Sequence, residues 1–218
     1  MHIAEGLLPP LHAAAWTIAA LPVVAAGTRR LSRLVAAPGG AAALGAAGGF
    51  ILLLSSLKLP SVAGSSSHPT GVGLGVELCG PLVLAPLTLI VLVFQALLLG
   101  HGGLTTLGAN VFAMGIAGPW AMWMVRQAMV RLPGRPGPAI WIGTAVGVLA
   151  TYLTTASQLA LAYGGEAGGM WNAFVNFAAL FVVTQVPLAV GEATLTMWAM
   201  RTLTANGVQT LLPNGVPR

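Results

Sequence analysis

Charged side chains are scarce in this sequence. Nine Lys+Arg and four Asp+Glu account for 6% of its 218 residues, where a soluble domain carries roughly 25%. AVILMFWYC residues supply 56%, and the mean hydropathy is +0.88. So few charges cannot cover a water-facing surface, which excludes a soluble globular domain, and so much apolar content excludes a disordered chain. Cys79 is the single cysteine, so there is neither an internal disulfide nor a multi-cysteine metal site. The sequence contains no GxxxxGK[ST] loop for ATP hydrolysis and no HExxH metalloprotease motif. The net charge of +5 comes from arginines at segment ends rather than from a basic patch, which argues against nucleic-acid binding.

What is present is a series of apolar runs of helix length, not the alternating short strands of a barrel. The runs cover 11–31, 41–57, 72–100, 104–130, 139–163 and 170–203. They predict an all-α integral membrane protein with one transmembrane domain over 1–218 and no soluble domain. Arg29, Arg30 and Arg33 follow the first run, Arg126, Arg131 and Arg135 surround a Pro- and Arg-rich turn over 131–138, and Arg201 and Arg218 follow the last run. The positive-inside rule places all three groups in the cytoplasm. The N-terminus and the loop 57–71 are then outside and the C-terminus inside. Parity requires 72–100 to cross an even number of times, so a short helix, a break at Gly80–Pro81 and a second helix are expected. That makes seven transmembrane helices; a half-depth re-entrant helix also satisfies the parity.

The opening MHIAEGLLPP has no Lys or Arg before Arg29 and does not read as a cleaved signal peptide. His2 is too large for the usual removal of Met1, so a free amine on Met1 is expected. That amine, the His2 backbone nitrogen and His2 Nδ1 can close a five-membered and a six-membered chelate ring on one ion. A deprotonated amide favours planar Ni²⁺, Cu²⁺ or low-spin Co²⁺ over oxygen-seeking Mg²⁺ or Ca²⁺. One in-plane position remains, and the His68 imidazole of GSSSHPTGVGLG, on the same side, suits it. Taken separately, His2 also reads as an ordinary terminal residue and His68 as a wet loop histidine.

Other polar residues also have readings in the sequence. Ser65, Ser66 and Ser67 can satisfy loop backbone or orient the imidazole. His101, at an outer helix boundary, reads as a group lining the metal's path or as boundary polarity, and His12 as an interfacial anchor. Glu5 is expected to fix the terminal loop. Glu77, Gln95, Asn110, Gln158, Gln185 and Glu192 lie inside hydrophobic runs and are expected to face the bundle interior, with interhelical bonding favoured for Glu192 and Asn110. Cys79 and the methionines read as packing residues.

MHIAEGLLPP, GSSSHPTGVGLG, HGGLTTLGANVFAMGIAGP at 101–119 and PLAVGEATLT at 187–196 together resemble the CbiM/NikM family, the substrate-binding membrane components of energy-coupling-factor transporters for cobalt and nickel. The resemblance implies a metal site built from Met1, His2 and His68, with 1–10 as the metal-binding terminal loop. Glu5, Ser66, Ser67, His101 and Asn110 are the further candidates around it. It also implies no permanent cofactor, a Co²⁺ or Ni²⁺ cargo with Co²⁺ favoured, and a link to cobalamin biosynthesis. The implied partners are a transmembrane coupling subunit, two ATP-hydrolysing subunits and a small accessory membrane subunit in the cell membrane. A stand-alone channel or secondary carrier is the competing class. An intramembrane enzyme would need a nucleophile-and-base pair, and none is visible.

Overall fold

The computed structural model describes residues 2–60, 66–130, 136–166, 168–208 and 210–211. Met1, Ser65, Arg131, Arg135 and Arg218 lie outside the described residues. Seven helical rods account for most of the remainder. They are α1 (Pro10–Val35), α2 (Gly40–Ser55), α3 (Val72–Cys79), α4 (Pro81–Leu99), α5 over 107–130, α6 (Pro136–Tyr163) and α7 (Met170–Ala205). The α5 rod runs through a π-helical stretch, Phe112–Ala117, between two α-helical parts. A two-residue antiparallel pairing, Leu59 with Ser67 and Pro60 with Ser66, is the strand structure among the described residues.

Four of these helices, α1, α4, α6 and α7, are long and apolar enough to cross a membrane. Their outer faces carry exposed Ile18, Phe94, Val183 and Trp198, as expected of helices solvated by lipid rather than water. The chain is an integral membrane protein.

The break expected at Gly80–Pro81 is present. Gly80 adopts φ 85°, and Pro81 opens α4 at its first position, where a missing N–H costs nothing. At about 1.5 Å per residue, the eight residues of α3 span about 12 Å, too little to cross about 30 Å of hydrocarbon alone. All eight are buried. Val76, Leu78, Val83, Leu84, Met114 and Met122 form the centre of the main core around α3, α4 and α5. The backbone before α3 is irregular, and it lies inside protein, as membrane depth requires.

One sequence expectation is corrected. The turn expected over 131–138 is helical from Pro136 onward. Its Pro-Gly-Pro run sits in the first helical turn, where proline is accepted. Arg126, read from the sequence as one of the orientation-setting arginines, is 6% exposed. Its Nε lies 2.6 Å from Glu77 Oε1 on α3, so an ion pair and not solvent satisfies its charge.

The ends of the bundle sort into two faces. Tyr163, the last residue of α6, donates its hydroxyl to Leu7 O. His2, His68 and His101 have their rings together, so the start of the chain and the ends of α4 and α6 share one face. At the other face the Leu211 amide donates to Leu78 O at 2.8 Å, which joins the segment after α7 to the end of α3.

Candidate metal centre

The terminal loop is built into the bundle. Ile3 and Leu8 are buried and pack with Ala13, Ala109 and Leu159. Asn110, on α5, accepts the Ile3 amide at Oδ1 (2.8 Å) and donates Nδ2 to Ile3 O (3.0 Å). Thr106 adds its hydroxyl to Ile3 O at 2.8 Å. The Glu5 carboxylate accepts the Leu104 and Thr105 amides, and the Glu5 amide donates to Gly102 O at 3.2 Å. The Thr105 side chain, and after it the Thr105 and Leu104 amides, hold the Glu5 carboxyl below the usual carboxylate range. The approach is close enough that a Cβ on Gly103 would lie 2.5 Å from Glu5 Cα. Glycine is therefore required at 103 for steric reasons.

His68 reaches the same place from the other side. The Glu192 carboxylate, buried on α7, accepts the Thr70 amide at 2.5 Å, the Thr70 hydroxyl at 2.7 Å and the Gly71 amide at 2.9 Å. These bonds satisfy the start of α3, where backbone N–H groups have no partner within the helix and negative charge is favoured. Gly71 turns with φ 72°, and its Cβ position is taken by Ile51 Cα at 2.7 Å. Ser67 shares a 2.8 Å hydrogen bond with Thr184 on α7. The Ser66 side chain lies outside the described residues.

The three rings meet. Centroid separations are 4.4 Å for His2–His68, 4.6 Å for His2–His101 and 4.9 Å for His68–His101. One nitrogen from each lies within 4.8 Å of the others. His2 Nε2 lies 3.3 Å from Met114 Sδ, and His68 Nδ1 lies 2.8 Å from Pro69 O. A carbonyl only accepts, so Nδ1 of His68 carries the proton and its Nε2 keeps a lone pair. The same logic makes Nε2 of His2 the donor to sulfur and leaves Nδ1 free. Among the described residues His2 Nδ1, His68 Nε2 and His101 Nε2 are buried without a hydrogen-bond partner. Burial, the largest cause, holds the His2 imidazole well below the ordinary histidine range and that of His101 down to about 4. Neutral rings with inward lone pairs suit a transition-metal ion and not a hard, oxygen-seeking one.

Of the sequence candidates, His2, His68 and His101 come together, while Glu5 and Asn110 hold the terminal loop. Ser67 bonds α7, and the ring of His68 takes its orienting bond from Pro69. Half-buried His12 and buried Cys79 stand apart from the cluster. Gln95 donates to Ser55 Oγ at 2.7 Å and Gln158 to Ala109 O at 3.0 Å. Both tie helices together. Met114, read from sequence as packing, touches the His2 ring. Its signal lies in its spacing, since it is four residues after Asn110 and shares that helix face.

Known proteins resemble this chain in sequence and in fold. Residues 2–209 match the family described as the cobalt uptake substrate-specific transmembrane region, CbiM. The chain is 50% identical over 217 residues to the cobalt transport protein CbiM of Streptomyces coelicolor, covering 99% of this chain and 94% of that one. It is 48% identical over 221 residues to that of a Roseiflexus species, covering 99% and 87%. Among solved structures, a truncated transition metal transporter superposes with a TM-score of 0.82 at 24% identity, covering 94% of this chain and 99% of that one. At that identity the likeness speaks for the fold.

Proposed function

The chain belongs to the CbiM family of cobalt-uptake, substrate-specific membrane components, and from that premise we propose that it captures Co²⁺ in a nitrogen chelate at the outer face of the bundle. The Met1 amine, the His2 backbone nitrogen, His2 Nδ1 and His68 Nε2 are the donors. Met1 lies outside the described residues; its place in the set follows from chelate geometry and family resemblance. The observation that carries the reading is the pair of buried lone pairs on His2 and His68, each left free by a bond at the ring's other nitrogen. An unpaired buried polar atom is costly, and a bound cation removes the cost.

The remainder of the reading concerns topology and energy. Arginines near the ends of α1 and α7 support a cytoplasmic position for that face, with the histidine cluster outside. The extended stretch before α3 and α3 itself then complete one crossing together, with the irregular part lining the site. The sequence has no ATP-binding motif of its own, and the family resemblance implies that import is driven by partners. These are a transmembrane coupling subunit, two ATP-hydrolysing subunits and a small accessory membrane subunit, and ATP turnover reorients this component to release the ion inward.

The experiment adds one residue before Met1, which moves both the amine and His2 out of register. Cobalt binding by the purified protein should fall by orders of magnitude; unchanged affinity and visible spectrum would reject the chelate. Metal analysis after expression in mixed-metal medium tests the cargo, with co-purified nickel in place of cobalt overturning the choice of ion. Cobalt flux into vesicles holding this chain alone would instead support a self-sufficient carrier.

A further inference from the structure

The chelate accounts for two of the three unpaired imidazole nitrogens, and His101 Nε2 is left over. Its ring is 4.6 Å from His2 and 4.9 Å from His68, and stands at 61° and 75° to them. The residue is 7% exposed, and its Nε2 has no hydrogen-bond partner among the described residues. Boundary polarity does not explain a histidine withdrawn from water beside two others.

The backbone places this ring before any ion arrives. Gly100 ends α4 in the left-handed region at φ 55°, and the His101 amide then closes back onto Gln95 O at 3.0 Å, as in a glycine-terminated helix end. Gln95 is itself fixed by Ser55. His101 therefore sits at the carbonyl end of a 19-residue helix, where the helix dipole favours positive charge.

We propose that His101 Nε2 is a fifth donor to the ion, approaching from outside the plane of the four chelate nitrogens, and that it favours Co²⁺ over Ni²⁺. This rests on the chelate reading above. The terminal amine, the amide, His2 and His68 fill a planar set, so a third imidazole has only an axial position available. Low-spin d⁸ Ni²⁺ is at its most stable in four-coordinate planar geometry and gains little from an axial nitrogen. Low-spin d⁷ Co²⁺ accepts one readily. In an affinity series where Ni²⁺ outranks Co²⁺ at nitrogen sites, geometry has to supply the selectivity, and an axial imidazole does so.

The test is His101→Ala and His101→Asn in the full chain with its native N-terminus, titrated separately with Co²⁺ and Ni²⁺. The expected result is an affinity for Co²⁺ weaker by about 10–100-fold, with Ni²⁺ binding nearly unchanged. Retained Ni²⁺ binding also shows that the variant is folded. Electron paramagnetic resonance of the Co²⁺-loaded protein should show axial coupling to a single nitrogen in the native chain, and lose it in both variants. An unchanged Co²⁺ affinity and spectrum, or an equal loss for both metals, would overturn the proposal. If the insertion before Met1 abolishes binding while the His101 variants behave as the native chain, the fifth donor alone is wrong. If the insertion also leaves binding unchanged, the chelate is wrong.

Discussion

Asn110 grips Ile3 on both sides, accepting its amide at 2.8 Å and donating to its carbonyl at 3.0 Å. One side chain thus fixes the two peptide planes that flank residue 3, and the first of these joins it to His2. A terminal segment ordinarily frays. Here the carboxamide takes the place of a neighbouring strand, and Thr106 and Glu5 extend the same clamp toward 101–105. The site is therefore positioned by tertiary hydrogen bonds and not by the local conformation of its own residues.

Asn110→Ala leaves the Ile3 amide and carbonyl short of partners and releases the terminal loop. Cobalt affinity should fall by about 10–100-fold, the range seen when a group holding a metal ligand is removed. Isothermal titration measures it. Asn110→Asp keeps the acceptor and loses the donor, and should fall between the two. An alanine variant with native affinity would show that the loop docks without this clamp.

Glu192 plays the matching part for His68. Its carboxylate accepts three bonds from Thr70 and Gly71, two and three residues beyond the imidazole. Glu192→Gln has one acceptor oxygen where the native residue has two, and turns an amide NH₂ toward donors. The α3 start should loosen and the cobalt affinity drop by about 10–100-fold, with the helical circular dichroism signal retained. Normal affinity in this variant would mean that Ser67 and the core packing suffice to place His68.

The sequence carries the apolar runs, the interruption at Gly80–Pro81 and the meeting of His2 with the distant loop imidazole of His68, because apolar length, a Gly-Pro break and histidines on one side of the membrane are each legible in it. What it hides is tertiary. The partner of Asn110 is 107 residues away and that of Glu192 is 122 away, so interhelical bonding is foreseeable for both but the recipient is not. His101 looks like a helix-end residue because its neighbours are brought in by the loops bearing His2 and His68. Arg126 resembles other topology-setting arginines until Glu77, 49 residues earlier, is seen beside it. The prolines at 136 and 138 look like breakers because pattern alone does not tell the first turn of a helix from a loop.

The Glu77–Arg126 pair lies between α3 and α5, with Glu77 1% exposed. Removing one partner strands a buried charge, which typically costs about 3–5 kcal/mol, whereas replacing both by apolar groups of similar size is often near neutral. Arg126→Met alone should therefore lower the unfolding temperature in detergent strongly. Glu77→Leu together with Arg126→Met should recover most of the loss. Neither residue belongs to the histidine cluster, so the double variant should bind cobalt within about twofold of the native chain. A double variant no more stable than the single would assign the pair's role to something other than charge compensation.

Protonation of the cluster gives a stability effect of definite sign. His101 ordinarily titrates at 6.5 but is pushed down to about 4 in the fold, and His2 is lowered in the same direction. Between those values the unfolded chain binds protons that the folded chain excludes, so stability falls as pH falls. The metal-free protein should keep a level unfolding temperature from pH 8 to pH 7 and lose stability steadily as the pH drops from 6.5 toward 4. Glu5, lowered from 4.5 by its bonds to 104 and 105, adds a loss of the same sign at lower pH. His101→Ala removes one of the groups responsible, so its curve should be shallower between pH 6.5 and 4. Differential scanning fluorimetry of both proteins without metal measures the slopes. Parallel curves would show that His101 does not resist protonation in the fold.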